Sequence, residues 1–113
     1  MMFYTYRQNN SGGGFVVNDD VTLVVIFQAD NSADANYRAQ GVGIYFDGVD
    51  KGIDCGCCGD RWAEAWSDDG DPEPMIYGEP IATWNSWFNQ PGQPYAHVYY
   101  KDGSKKSFKE ESE

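Results

Sequence analysis

At 113 residues, with eight basic and eighteen acidic side chains, the chain carries a formal net charge of −10, a length that suits one domain and leaves no room for a second core. So acidic a surface disfavours general nucleic-acid binding, because phosphates reward clustered Lys and Arg, and leaves basic proteins and cations as candidate partners. Leu, Ile, Val and Phe supply only 20 residues, but eighteen Phe, Tyr and Trp offer large areas to bury, which predicts a folded, aromatic-cored domain rather than disorder.

The first strand is read over Met2–Gln8, where Phe3, Thr5 and Arg7 alternate with Tyr4 and Tyr6. Asn9 to Gly14 breaks it, and the three glycines read as a hairpin loop rather than a phosphate cradle, since no Lys-Ser/Thr follows. Val21–Gln28 is the most apolar run; its β-branched content predicts a central, largely buried strand. Asp30-Asn31-Ser32 in front and Gly41 behind bracket a short helix over about 32–40. Its Ala33, Tyr37 and Gln40 share one face that is expected to lie on the sheet.

A short strand is read at Gly43–Phe46, ended by the turn dipeptide Asp47-Gly48. Arg61–Trp66 alternates as a strand would, with Trp62, Glu64 and Trp66 on one face, although it also tolerates a helical turn. Ser67–Pro74 is an exposed loop by composition. Residues 75–94 carry Trp84, Trp87, Phe88 and three prolines and give no clear element. Tyr95–Tyr100 and Ser104–Lys109 flank Lys101-Asp102-Gly103 as a C-terminal hairpin. Together these predict an α+β fold: an antiparallel sheet, one principal helix and a C-terminal hairpin, with residues 1–109 as one domain and 110–113 as a frayed acidic tail.

Charge is concentrated in the middle of the chain. Residues 47–79 hold ten acids and two bases, while residues 80–113 balance four against four. The same stretch contains all three cysteines, Cys55, Cys57 and Cys58, an odd and tight cluster that cannot build a spaced disulfide framework. Cys55 and Cys58 have C-x-x-C spacing, and with Cys57 and the sole histidine, His97, they offer a sulfur-and-nitrogen zinc site. A second C-x-x-C is missing, so buried structural thiols remain the alternative, and zinc is the sole cofactor considered. A redox role ranks lower, because flanking acids raise a thiol's pKa. The aspartates of 47–54 and 68–71 do not follow the EF-hand order and read as solvated loops. With one histidine and no nucleophile context, no enzyme is expected.

Three segments carry a family resemblance: Met2–Gly13 (MFYTYRQNNSGG), Ile44–Gly48 (IYFDG) and the Cys-Cys-Gly-Asp-Arg-Trp core of Cys55–Trp62. They resemble a family of small tailed-bacteriophage proteins to which no activity attaches, so no functional residue carries over. The resemblance implies a viral accessory protein made in the host bacterial cytoplasm. No stretch reaches the ~18 apolar residues of a membrane helix, and Met1–Arg7 lacks a signal-peptide pattern; both fit that expectation.

The leading functional expectation is a binding protein that inhibits or redirects a host factor, such as a defence protein, through a basic surface on that partner. Asp60, Arg61, Trp62, Glu64, Asp68, Asp69 and Asp71 are the expected contact residues. Two other readings stand beside it: a metal-stapled virion structural or assembly component, and a nucleotide binder using aromatics with Arg7 or Arg61. Neither direct nucleic-acid binding nor membrane association is expected.

Overall fold

The computed structural model describes residues 2–9, 16, 18, 20–54, 56, 59–76, 79–80 and 94–109. Its elements run β1 (Met2–Arg7), β2 (Val24–Ala29), α1 (Ser32–Gln40), β3 (Met75–Ile76), β4 (Glu79–Pro80), β5 (Pro94–Tyr99) and β6 (Lys105–Lys109). The fold is α+β. A four-stranded sheet has the order β1-β2-β5-β6, and β3 pairs with β4 in a separate two-stranded ribbon.

β1 runs antiparallel to β2, with Tyr4 opposite Phe27 and Tyr6 opposite Val25. β5 and β6 form the expected C-terminal hairpin, closed by Tyr100 N–H to Ser104 O (2.8 Å) and by Gly103 N–H to Tyr100 O (3.0 Å). Between the two halves, β2 and β5 are parallel, with Val25 beside His97. The sheet is therefore mixed rather than antiparallel throughout. A parallel pair needs a long crossover, and the segment from α1 to residue 93 supplies it.

Both faces of β2 are buried, as its apolar run predicts. Val25, Phe27 and Ala29 join Tyr4 and Tyr6 against Ala35 and Ala39 of α1, together with Ile44, Trp62 and Ala65. Val24 and Ile26 face the other way, with Phe3, Leu23, Ala96 and Val98. The aromatics form the first cluster's framework: Phe27 stacks on Tyr99 at 4.7 Å between centroids and meets Tyr6 edge-on at 6.0 Å. Each such large side chain withdrawn from water contributes about 1.5–3 kcal/mol, which is how a chain with one leucine builds a core.

α1 begins where the capping residues predict. Asn31 has extended backbone and its side-chain oxygen accepts from Asp34 N–H at 2.8 Å. The buried face is Ala35 and Ala39, one turn apart, while Tyr37 is 78 % exposed. This corrects the expected Ala33/Tyr37/Gln40 face: the small alanines let the helix lie close on the sheet, which a tyrosine would hold off. Gly41 keeps right-handed backbone, and Gly43, with φ 102°, makes the reversal. The strand expected at Gly43–Phe46 is absent, because Ile44 N–H is bonded back to Ala39 O at 3.2 Å and the segment wraps the helix end.

Two cations fasten α1 to the hairpin. Arg38 donates to Gln28 O and to Tyr100 O, its guanidinium 5.5 Å above the Phe27 ring. Lys101 Nζ reaches Asp34 at 2.8 Å and Asp30 at 3.1 Å. The glycine loop at 12–14, Trp84, Trp87 and the acidic tail at 110–113 lie outside the described residues.

Candidate functional site: an acidic arch on a strand edge

β1 is an edge strand, and antiparallel alternation decides which way its backbone groups point. Gln8 N–H donates inward to Leu23 O (2.8 Å), so even positions face β2 and odd positions face out. Two of the outward positions are covered. Phe3 exchanges both hydrogen bonds with Asp71, at 2.8 and 2.9 Å, and Asn9 N–H donates to Arg61 O at 2.8 Å. The chain from Arg61 to Asp71 is thus tied to β1 at both ends.

Between its feet that segment is held off the strand. Ala65 gives both backbone groups to the Asn36 side chain of α1: N–H to Oδ1 at 2.8 Å, and O from Nδ2 at 3.0 Å. Tyr6 Oη donates to the same Asn36 Oδ1 at 2.7 Å. A side-chain amide here imitates a neighbouring strand, so Ala65 cannot also pair with β1. Beyond it, Asp69 Oδ2 accepts from Trp66 N–H at 2.7 Å and fixes a tight turn. The segment 61–71 therefore forms an arch, and Arg61–Trp66 within it is not the strand that its alternation predicts.

Under the arch lies a cleft of about 340 Å³, lined among others by Thr5, Arg7, Glu64, Trp66, Asp69 and Asp71. On the arch's other side a second cleft of about 160 Å³ is lined by Phe46, Asp47, Asp60, Trp62, Glu64 and Trp66. Glu64 and Trp66 border both. Trp66 is 63 % exposed, an unusual position for so large an apolar ring and one typical of contact surfaces. Among the described residues, the larger cleft sets the carboxylates of Glu64, Asp69 and Asp71 beside the one cation of Arg7. Burial pushes the Asp71 carboxyl up, and the neighbouring charge of Asp69 adds to it.

The arch's first foot rests on a buried carboxylate. The Asp54 side chain is 2 % exposed; it takes Arg61 N–H at 2.7 Å and Tyr45 Oη at 2.6 Å, with Arg61 Nε 3.9 Å away. Arg61 Nη1 goes on to Gln8 Oε1 at 2.8 Å, and the Gln8 amide in turn donates to Thr22 O. Burial pushes the Asp54 carboxyl up, but the Arg61 amide, the Tyr45 hydroxyl and the Arg61 charge outweigh it and hold it below its ordinary value. Gly48 is required beside it: a Cβ there would lie 2.0 Å from Asp54 Oδ2.

The residues expected to meet a partner thus divide. Glu64, Asp68 and Asp69 are exposed, and Asp71 is half-buried at the cleft wall. Asp60 is exposed too, with Oδ1 accepting Val49 N–H at 2.9 Å. Trp62 and Arg61 do not belong to a contact surface: Trp62 is 2 % exposed within the core, and Arg61 is turned inward onto Asp54 and Gln8. Thr5 and Trp66, which line the larger cleft, and Asn36, which shapes the arch, are not among the expected contact residues. Asn36 left a trace in the sequence, as a polar residue in mid-helix.

Cys55, Cys57 and Cys58 lie outside the described residues. His97, the fourth expected zinc ligand, is 2 % exposed on β5, with Nδ1 2.8 Å from Ser107 Oγ across the hairpin. No group of three or more His, Cys, Asp or Glu able to hold a metal ion occurs among the described residues. Nor is any helix among them long and apolar enough to cross a membrane.

A family model described as a domain of unknown function (DUF7296) matches residues 1–113, and the chain belongs to that family. No curated protein and no solved structure matches it.

Proposed function

We propose that this member of the DUF7296 family acts by binding rather than by catalysis, with the acidic arch as its contact surface and a host protein bearing a basic patch as its partner. The observation that carries this reading is Trp66, 63 % exposed between two clefts whose walls hold Asp47, Asp60, Glu64, Asp69 and Asp71. An exposed indole gives a contact its apolar anchor, and surrounding carboxylates steer and select a cationic partner. The likeness to small tailed-bacteriophage proteins supports a partner in the bacterial host, and inhibition or diversion of a defence factor is the outcome that such occupation of a basic surface would have.

A nucleotide in the larger cleft is the competing reading, since Tyr6, Arg7 and Trp66 line it. The charges weigh against it. Phosphates would meet Glu64, Asp69 and Asp71, with Arg7 the only cation lining the cleft among the described residues.

The test is affinity capture from bacterial lysate with the wild-type chain and with Trp66→Ala and Glu64→Lys variants. The expected result is a host protein retained by the wild type and lost from both variants. Retention of the same proteins by all three chains would remove the arch from consideration.

A further inference from the structure

Three features of the arch fit one kind of ligand. The first is an open place on a strand edge. Thr5, an odd position of β1, turns its N–H and C=O away from β2, and neither group has a hydrogen-bond partner among the described residues. The outward position before it, Phe3, is paired by one of the arch's feet, whereas Ala65 is held away by Asn36. A strand-edge position left unpaired beside a paired one is a template for a short extended segment.

The second feature is size. A cleft of about 340 Å³ is at the small end of ligand sites; it suits one long side chain with its own peptide unit, not a folded element. The third is the lining. Trp66 offers an aromatic face, and Glu64, Asp69 and Asp71 offer carboxylates on the same cleft. A guanidinium matches that combination better than an ammonium, because its flat fork stacks on an indole while it is shared between carboxylates.

The geometry points to an arginine-bearing extended segment of the partner as the ligand of this cleft: its backbone pairs with Thr5, and its guanidinium lies against Trp66 among Glu64, Asp69 and Asp71. This rests on the binding reading above and specifies how the arch would read its partner. Recognition would then combine a sequence-independent strand contact with selection for one arginine.

The experiment is a titration of the ¹⁵N-labelled protein with acetyl-Thr-Arg-Thr-amide, and in parallel with the same peptide carrying neutral citrulline. Expected are shifts centred on the Thr5 amide, the Trp66 indole N–H and the amides of Glu64–Asp71, with slower exchange of the Thr5 proton. The citrulline peptide, Trp66→Ala and Glu64→Gln should each weaken binding about two- to fivefold, with amide shifts of β2 and α1 unchanged in the variants. Equal binding of the citrulline peptide, shifts centred on the Asp47–Asp60 cleft, or no response at millimolar peptide would overturn the proposal. If the peptide fails while lysate capture still depends on Trp66, only this mode of recognition falls.

Discussion

Trp62 and Trp66 are four residues apart, and the fold uses them in opposite ways. Trp62 is 2 % exposed among Tyr4, Tyr6 and Val25, and Trp66 is 63 % exposed on the arch. Trp62→Ala should therefore cost about 3–5 kcal/mol in urea unfolding, whereas Trp66→Ala should stay within about 0.5 kcal/mol of wild type while losing the partner. The two-residue alternation of Arg61–Trp66 put both indoles on one face, and that failed for a local reason. Asn36 claims both backbone groups of Ala65, so the segment has no strand period. Asp54 carries a second residue-level prediction. Its carboxyl lies below the ordinary value, as does that of Asp34 beside Lys101. Their contribution is therefore whole above about pH 4 and lost as pH falls through the depressed values. Asp71 is shifted up and works in the opposite sense: its protonation on acidification relieves the fold. Urea unfolding at pH 7 and pH 3 should show a smaller loss of stability on acidification for Asp54→Asn than for wild type. An unchanged loss would mean that Asp54 is not what acid attacks.

Among the elements, α1 was the most legible, since its bounds follow from Asn31 in front and Gly41 behind. Asn31→Ala should cost about 1 kcal/mol, the usual worth of a cap. β1, β2 and the C-terminal hairpin were legible too, through alternation, β-branched content and the Asp-Gly turn. The parallel register of β2 with β5 was not, because strand partners far apart in sequence leave no local mark. The arch was hidden for a related reason. It depends on Asn36, 29 positions from Ala65 in the chain, and on β1, still farther away. Its acids were nevertheless visible as a charge concentration, whereas Thr5, which lines the same cleft, carries no such mark. Asn36→Ala should release Ala65 and leave Tyr6 Oη without its acceptor. The expected readout is faster amide exchange at Ala65 and weaker partner binding, with the β5–β6 hairpin unaffected.

Over the whole molecule, charge is divided rather than spread. The stretch from residue 47 to 79 holds ten acids and two bases, whereas Lys101, Lys105, Lys106 and Lys109 lie at the other end of the chain. Self-repulsion in the acidic stretch costs stability, and exposed acids that make no internal bond would serve best as a steering field for a basic partner. Such a field acts on association more than on dissociation and fades as salt shortens the Debye length. The most direct measurement is the association rate of the captured host protein between low and physiological salt, for wild type and for the combined Asp50→Lys, Asp68→Lys and Glu73→Lys variant, three exposed acids outside the larger cleft. The account predicts a rate that falls steeply with salt for the wild type, a much slower and nearly salt-independent rate for the variant, and similar dissociation rates for both. Equal association rates that ignore both salt and charge reversal would contradict it.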